Sequence, residues 1–171
     1  ALARLCLCLC LCLFMAIMSK NKIFLLNNFT TYKCKKILSK NTDMIWHSSS
    51  SQIKEMIVTS DRYFLRNKNI QCIISCADSL EEKFKKKIQK FKLKFFDTYG
   101  CTETDGITNV LIKKNMKKFN TVGKANPTHL VKILNKRNLK CKTHEIGEIN
   151  VKTNLICDKI NNIKQKIKYY K

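Results

Sequence analysis

Between Met44 and Phe96 the chain alternates short apolar runs with longer segments whose apolar residues recur at helical spacing. Met44-Ile45-Trp46, Ile70 to Ile74 and the alternating run Phe91 to Phe96 read as strands. Between them lie a helix through Ile53, Met56 and Ile57, introduced by Ser48 to Ser51 as loop and cap, and a helix from Leu80 to Lys90. In the second helix Leu80, Phe84 and Ile88 stand at i, i+4 and i+8, Asp78 or Ser79 provides the cap, and Glu81-Glu82 occupy the positive end of the helix dipole. Strand, helix, strand, helix, strand requires crossover connections, and these build a largely parallel sheet flanked by helices. The fold class is α/β. Ligands of such sheets bind outside the carboxyl ends of the strands.

The flanks add smaller elements. Lys22-Ile23-Phe24-Leu25-Leu26 reads as a further short buried strand, Asn27-Asn28 as a turn, and Tyr32 to Lys40 as a helix capped by Thr30 or Thr31 with Ile37 and Leu38 turned inward. Downstream, Lys113 to Asn120 reads as a mobile connection. Val131 to Leu134 and Glu148 to Val151 alternate as half-exposed strands joined by a polar loop from Asn135 to Glu145, a small β-rich portion after the main sheet. Ala1 to Met18 is apolar but for Arg4, close to the about 20 residues a membrane helix needs. Three readings fit it: a membrane anchor, a signal-peptide-like core, or a helix buried on all sides. The organisation expected is therefore an apolar segment over 1–18, a folded domain over 19–157 and a Lys/Ile-rich tail over 158–171.

With 34 Lys+Arg against 12 Asp+Glu the formal charge is +22, which favours nucleic acid or anionic lipid as partners of any exposed basic face. The lysines are spread from Lys20 to Lys171, however, and only Lys83, Lys85, Lys86, Lys87, Lys90, Lys92 and Lys94 are dense. They read as the solvated sides of a helix and strand. Ten cysteines show no C-x-x-C pairing, so Cys34, Cys72, Cys76, Cys141 and Cys157 read as small apolar residues of a reducing, cytoplasmic setting. His47, His129 and His144 lack a spaced partner and read as surface or loop residues, and Asp97 and Asp105 as turn and cap residues.

The chemistry concentrates in Phe95-Phe96-Asp97-Thr98-Tyr99-Gly100-Cys101-Thr102-Glu103-Thr104-Asp105-Gly106. A strand enters it, Gly100 ends the strand, and hydroxyls and carboxylates follow, at the carboxyl edge where ligands are expected. Glycine there lets a phosphate or a metal-bound ligand approach the main chain.

Tyr99-Gly100-Cys101-Thr102-Glu103 resembles the Tyr-Gly-x-Thr-Glu motif of the adenylate-forming (AMP-binding) enzymes, which include acyl-CoA synthetases, peptide-synthetase adenylation domains and luciferases. Val122-Gly123-Lys124 with Pro127 and Val131-Lys132-Ile133 resembles the family's Val-Gly-x-Pro segment and the strand after it. Glu145-Ile146-Gly147-Glu148-Ile149 resembles its Gly-Glu-Ile strand, in a form that leans towards acyl-CoA ligases, including those acting on carnitine-like or fatty acids. Ile73 to Leu80 takes the place of its Ser-Gly-Gly-Ala-Pro-Leu loop. The likeness runs from about Phe14 to Cys157 and favours the buried-helix reading of the first segment.

The resemblance implies part of the large N-terminal domain of such an enzyme, and an ATP-dependent two-step reaction. A carboxylate attacks the α-phosphate of ATP to give an acyl-adenylate, and a thiol, usually coenzyme A, then takes the acyl group. By position, Ser75, Cys76 and Ala77 border adenine, Tyr99 stacks on it, Thr102 contacts phosphate, Glu103 holds Mg²⁺, and Gly100, Cys101 and Gly123 line the acyl pocket. Implied partners are a small carboxylate and the rest of the enzyme. The chain departs from the pattern at Cys76-Ala77 in place of Gly-Gly, at Asp78-Ser79 in place of Ala-Pro, and at Thr128-His129 where a glycine turn is usual. It lacks the family's phosphate loop, its Thr-Gly-Asp and its C-terminal lysine, so a chain inactive on its own is expected. The rival reading is a basic module for nucleic acid or anionic membrane on a degenerate ligase scaffold.

Overall fold

The computed structural model describes residues 16–26, 28–91, 93–101, 104–154, 159–160 and 163–164. Most of the apolar first segment, the Lys/Ile-rich tail and the pair Thr102 and Glu103 lie outside them. Helix α1 spans Thr31–Lys40, and the Thr30 side chain accepts from the Lys33 amide at 3.3 Å, the N-cap read from the sequence. Strand β1 (Met44–Ser49) runs directly into helix α2 (Ser50–Leu65), which kinks at Ser60. Strand β2 (Ile70–Cys76), helix α3 (Glu82–Gln89) and strand β3 (Lys94–Cys101) complete the alternation. The chain then turns back through β4 (Asp105–Leu111) and a short β5 (Lys124–Ala125).

These five strands form one sheet in the order β1-β2-β3-β4-β5. The pairs β1/β2 and β2/β3 are parallel, and β3/β4 and β4/β5 antiparallel. Strands β6 (His129–Leu134) and β7 (Glu148–Thr153) make a separate antiparallel pair, so the β-rich portion expected after the sheet is present.

One face of the parallel strands holds the core. Trp46 and Ile73 are in register, as are Ile73 and Phe95, and all three are buried. Against them pack Cys34 and Leu38 of α1, Ile53, Met56, Ile57 and Phe64 of α2, and Phe84 and Ile88 of α3. The Trp46 and Phe64 rings meet edge-on with centroids 5.2 Å apart. Cys34, fully buried, has its thiol pushed up to about 11 by desolvation and by the nearby Glu55 carboxylate, and behaves as an apolar residue.

The structure corrects several expectations. Lys22 to Leu26 is not a strand, and Phe24 and Leu25 are exposed. A strand needs a neighbour to pair with, and β1 forms the sheet edge with no further strand beside it among the described residues. Helix α3 starts after Leu80 with Glu81 as its N-cap, which makes no side-chain cap bond; Asp78 and Ser79 belong to the preceding loop. Lys85 is not on a solvated side: it is 2% exposed. Asp97 is a buried residue of β3 rather than a turn residue. Among the cysteines, Cys34, Cys72, Cys101 and Cys141 are free thiols, but Cys76 is disulfide-bonded. Sequence spacing carries no information about which distant cysteines a fold brings together.

Candidate functional site

The loop from Ser75 to Asp78 leaves the carboxyl end of β2 and is held by its neighbours on both sides. Ser50, the first residue of α2, lies opposite it because β1 runs parallel to β2 and ends level with it. The buried Ser50 and Ser75 hydroxyls are 2.7 Å apart, and Ser50 Oγ also donates to the Asp78 carbonyl. On the other side Thr98 Oγ1 of β3 donates to the Ser75 carbonyl at 2.6 Å. Held in this way, Ala77 adopts φ +75°, the left-handed region that favours glycine, at one of the two positions where the family pattern has glycine.

The Tyr99 stretch emerges beside this loop. Gly100 does not end the strand as expected: β3 continues to Cys101 and pairs antiparallel with β4, Gly100 facing Gly106 and Cys101 facing Asp105. A register shift falls between Tyr99 and Gly100, so the break that the glycine signalled is a bulge within a hairpin. Beyond the bulge the ladder has left the parallel sheet, and Tyr99, Gly100 and Cys101 are exposed. Thr102 and Glu103, between the two strands in sequence, lie outside the described residues. Cys101 Sγ and Thr104 Oγ1 are 3.0 Å apart across the tip.

Residues that sequence reasoning assigned elsewhere brace this hairpin. His129 is buried, not a surface residue; its Nε2 donates to the Thr104 carbonyl at 2.8 Å and its Nδ1 lies 2.9 Å from Thr128 Oγ1. A carbonyl can only accept, which assigns the proton to Nε2. The Asn126 side chain donates to the Gly106 carbonyl, and its backbone amide to Ile107 O at 2.9 Å. At the root of the hairpin the Lys85 ammonium lies 2.6 Å from Asp97 Oδ2 and donates to the Phe119 carbonyl at 3.2 Å. The signal for this pair was present in the sequence: an acid inside the apolar run Phe95-Phe96-Asp97 needs a buried partner.

Gly123 lies on the segment that packs against β4, the returning strand of the hairpin. It has φ +84°, and a Cβ there would overlap the Asn109 carbonyl and stand 2.8 Å from the Val110 nitrogen. Its role in the fold is backbone-to-backbone packing of the 121–125 segment on β4, helped by Thr108 Oγ1 donating to Val122 O at 2.6 Å.

A groove of about 550 Å³ lies at the opposite, amino end of the strands, lined by Leu65, Arg66, Phe91 and Lys94 among others. It touches none of the motif residues. Among the described residues no three His, Cys, Asp or Glu side chains are grouped to hold a metal ion, and no helix is long and apolar enough to cross a membrane.

The fold recurs in known proteins. A sequence model of the AMP-binding enzyme family matches residues 4–158, and the chain belongs to that family. Its fold is similar to that of O-succinylbenzoate coenzyme A synthetase from Bacillus subtilis in complex with ATP and magnesium ion, with a TM-score of 0.76 at 19% identity over 86% of this chain and 30% of that one. The same enzyme in complex with its acyl-adenylate intermediate matches at TM-score 0.76 and 19% identity, over 85% of this chain and 29% of that one. The N-terminal subdomain of NpsA from Klebsiella oxytoca, in complex with 3-hydroxybenzoyl-AMSN, matches at TM-score 0.62 and 17% identity, over 76% of this chain and 34% of that one. The chain thus spans about 30% of the length of the synthetase it matches. No curated protein sequence matches significantly.

Proposed function

We propose that the chain forms the nucleotide-facing core of an ATP-dependent acyl-CoA ligase. The observation that carries this reading is the placement of the Tyr99 hairpin beside the Ser75–Asp78 loop at the carboxyl edge of the parallel strands, tied together through Thr98 and Ser75. The half-exposed Tyr99 ring suits a stacked base, and the Ser75–Ala77 main chain suits the base's polar edge. The described residues fit a nucleotide in that chemistry. Thr102 would contact phosphate and Glu103 would hold Mg²⁺, which when bound neutralises charge on the phosphates. Gly100, Cys101 and Gly123 would border the acyl group. Residues 19–157 are proposed as a partial AMP-binding domain, preceded by the apolar segment 1–18 and followed by the tail 158–171.

Coenzyme A is the proposed acceptor because the matched Bacillus subtilis structures are of a coenzyme A synthetase. The whole reaction, from carboxylate and ATP to acyl-adenylate and then thioester, is proposed for an assembly that includes the parts of the fold this chain does not span. Titration of the chain with ATP and Mg²⁺ by isothermal calorimetry tests the site: saturable binding weakened at least tenfold by Tyr99→Ala is expected, and no saturable binding overturns the reading. Pyrophosphate exchange by the chain alone is expected to stay at background with a panel of carboxylates.

A further inference from the structure

We propose that the buried Lys85–Asp97 ion pair is a positioning device that sets how the Tyr99 hairpin stands out from the sheet, an inference that rests on the nucleotide-binding reading above. Asp97 precedes Tyr99 by two residues on β3, and because strand side chains alternate the two project from the same face. Lys85 approaches that face from α3, its side chain 2% and that of Asp97 9% exposed. The same ammonium donates to Phe119 O, at the end of the connection that leads from β4 to Thr121-Val122-Gly123. One cation therefore ties together the helix, the outgoing strand of the hairpin and the segment that packs on its returning strand.

Stability alone does not call for this arrangement. Replacing a buried ion pair by apolar residues of similar volume is often neutral or stabilising, whereas removing one partner is strongly destabilising. The pair supplies direction instead: an ammonium that donates to both a carboxylate and a backbone carbonyl, shut away from water, has far fewer acceptable geometries than two apolar side chains in contact. Asp97 also stands in register with Ser75, whose hydroxyl meets Ser50, so the buried polar groups extend from the root of the hairpin to the loop that faces it. Both borders of the nucleotide corner are thus referred to the same buried set.

The test uses the full chain, with Lys85→Met, Asp97→Leu and the double variant. Each single variant is expected to lower the urea midpoint, and the double variant to recover it. Despite recovered stability, the double variant is expected to exchange the Tyr99, Gly100, Gly106 and Thr108 amides at least tenfold faster by NMR, and to bind ATP with Mg²⁺ at least tenfold more weakly. A double variant with parental exchange and affinity overturns the proposal. Should the parental chain not bind ATP, the nucleotide reading fails and the exchange rates alone decide the positioning role. Should the double variant not fold, Asp97→Asn keeps the shape and removes the charge; faster hairpin exchange supports the proposal and unchanged exchange overturns it.

Discussion

Ala77 is held at φ +75° between β2 and α3. For an L residue with a Cβ this region costs about 1 kcal/mol or more, and glycine is free of that cost. Ala77→Gly is therefore expected to raise unfolding stability by about 0.5–1 kcal/mol, net of the added flexibility of the unfolded chain, as read by urea titration. His47 gives a pH dependence of known sign. Burial in β1 lowers its pKa from 6.5, so the unfolded chain binds the proton more readily than the folded one. Its effect is absent above the unfolded value, and stability falls as pH drops through 6.5 towards the lowered folded value. Replacing it by Gln is expected to flatten urea midpoints between about pH 7.5 and 5.5. Glu81, on the surface between Lys54 and Lys83, does not contribute to that window, since hydrogen bonds from both lysines lower its pKa to about 2.

Helix α3 shows what can be read at the level of an element. Its apolar residues Phe84 and Ile88 are buried, as their spacing indicates, and Ile88 is 1% exposed against the sheet. Ile88→Ala is expected to cost about 3 kcal/mol in urea unfolding, from lost transfer energy and a residual cavity. Leu130 on β6 is 66% exposed, and its replacement by Ala is expected to change stability by less than about 0.5 kcal/mol. The lysines of the same helix divide in a way periodicity does not reveal. Lys83, Lys86 and Lys90 face solvent, and Lys86 pairs with Glu82 one turn away at 2.7 Å. Lys85 lies next to Phe84 in sequence and one turn before Ile88, on the flank of the buried stripe, and it meets Asp97 and the Phe119 carbonyl across the interface.

Across the whole molecule the +22 charge opposes compaction, because like charges are closer in the folded chain than in the unfolded one. Screening shortens the reach of that repulsion from about 30 Å at 0.01 M salt to about 8 Å at 0.15 M. The thermal midpoint is therefore expected to rise between 10 and about 150 mM NaCl, and an unchanged or falling midpoint would show that local ion pairs outweigh the general repulsion. The amino-acid sequence by itself determined the α/β alternation, the parallel strands, the apolar stripes of α2 and α3 and the family, because hydrophobic period and short motifs are local properties of the chain. It did not determine that Lys22 to Leu26 lacks a strand partner, that β3 runs on into a hairpin, or that Cys76 is disulfide-bonded. Nor did it show that Lys85, Asp97 and His129 are buried braces. Each of those depends on what a residue meets from a distant part of the chain: a strand edge, an opposite charge, a carbonyl 25 or more residues away in sequence, as Thr104 is from His129. The Tyr99 hairpin belongs to both sides: its motif is legible in the sequence, and the ion pair and histidine that hold it were decided by the tertiary structure.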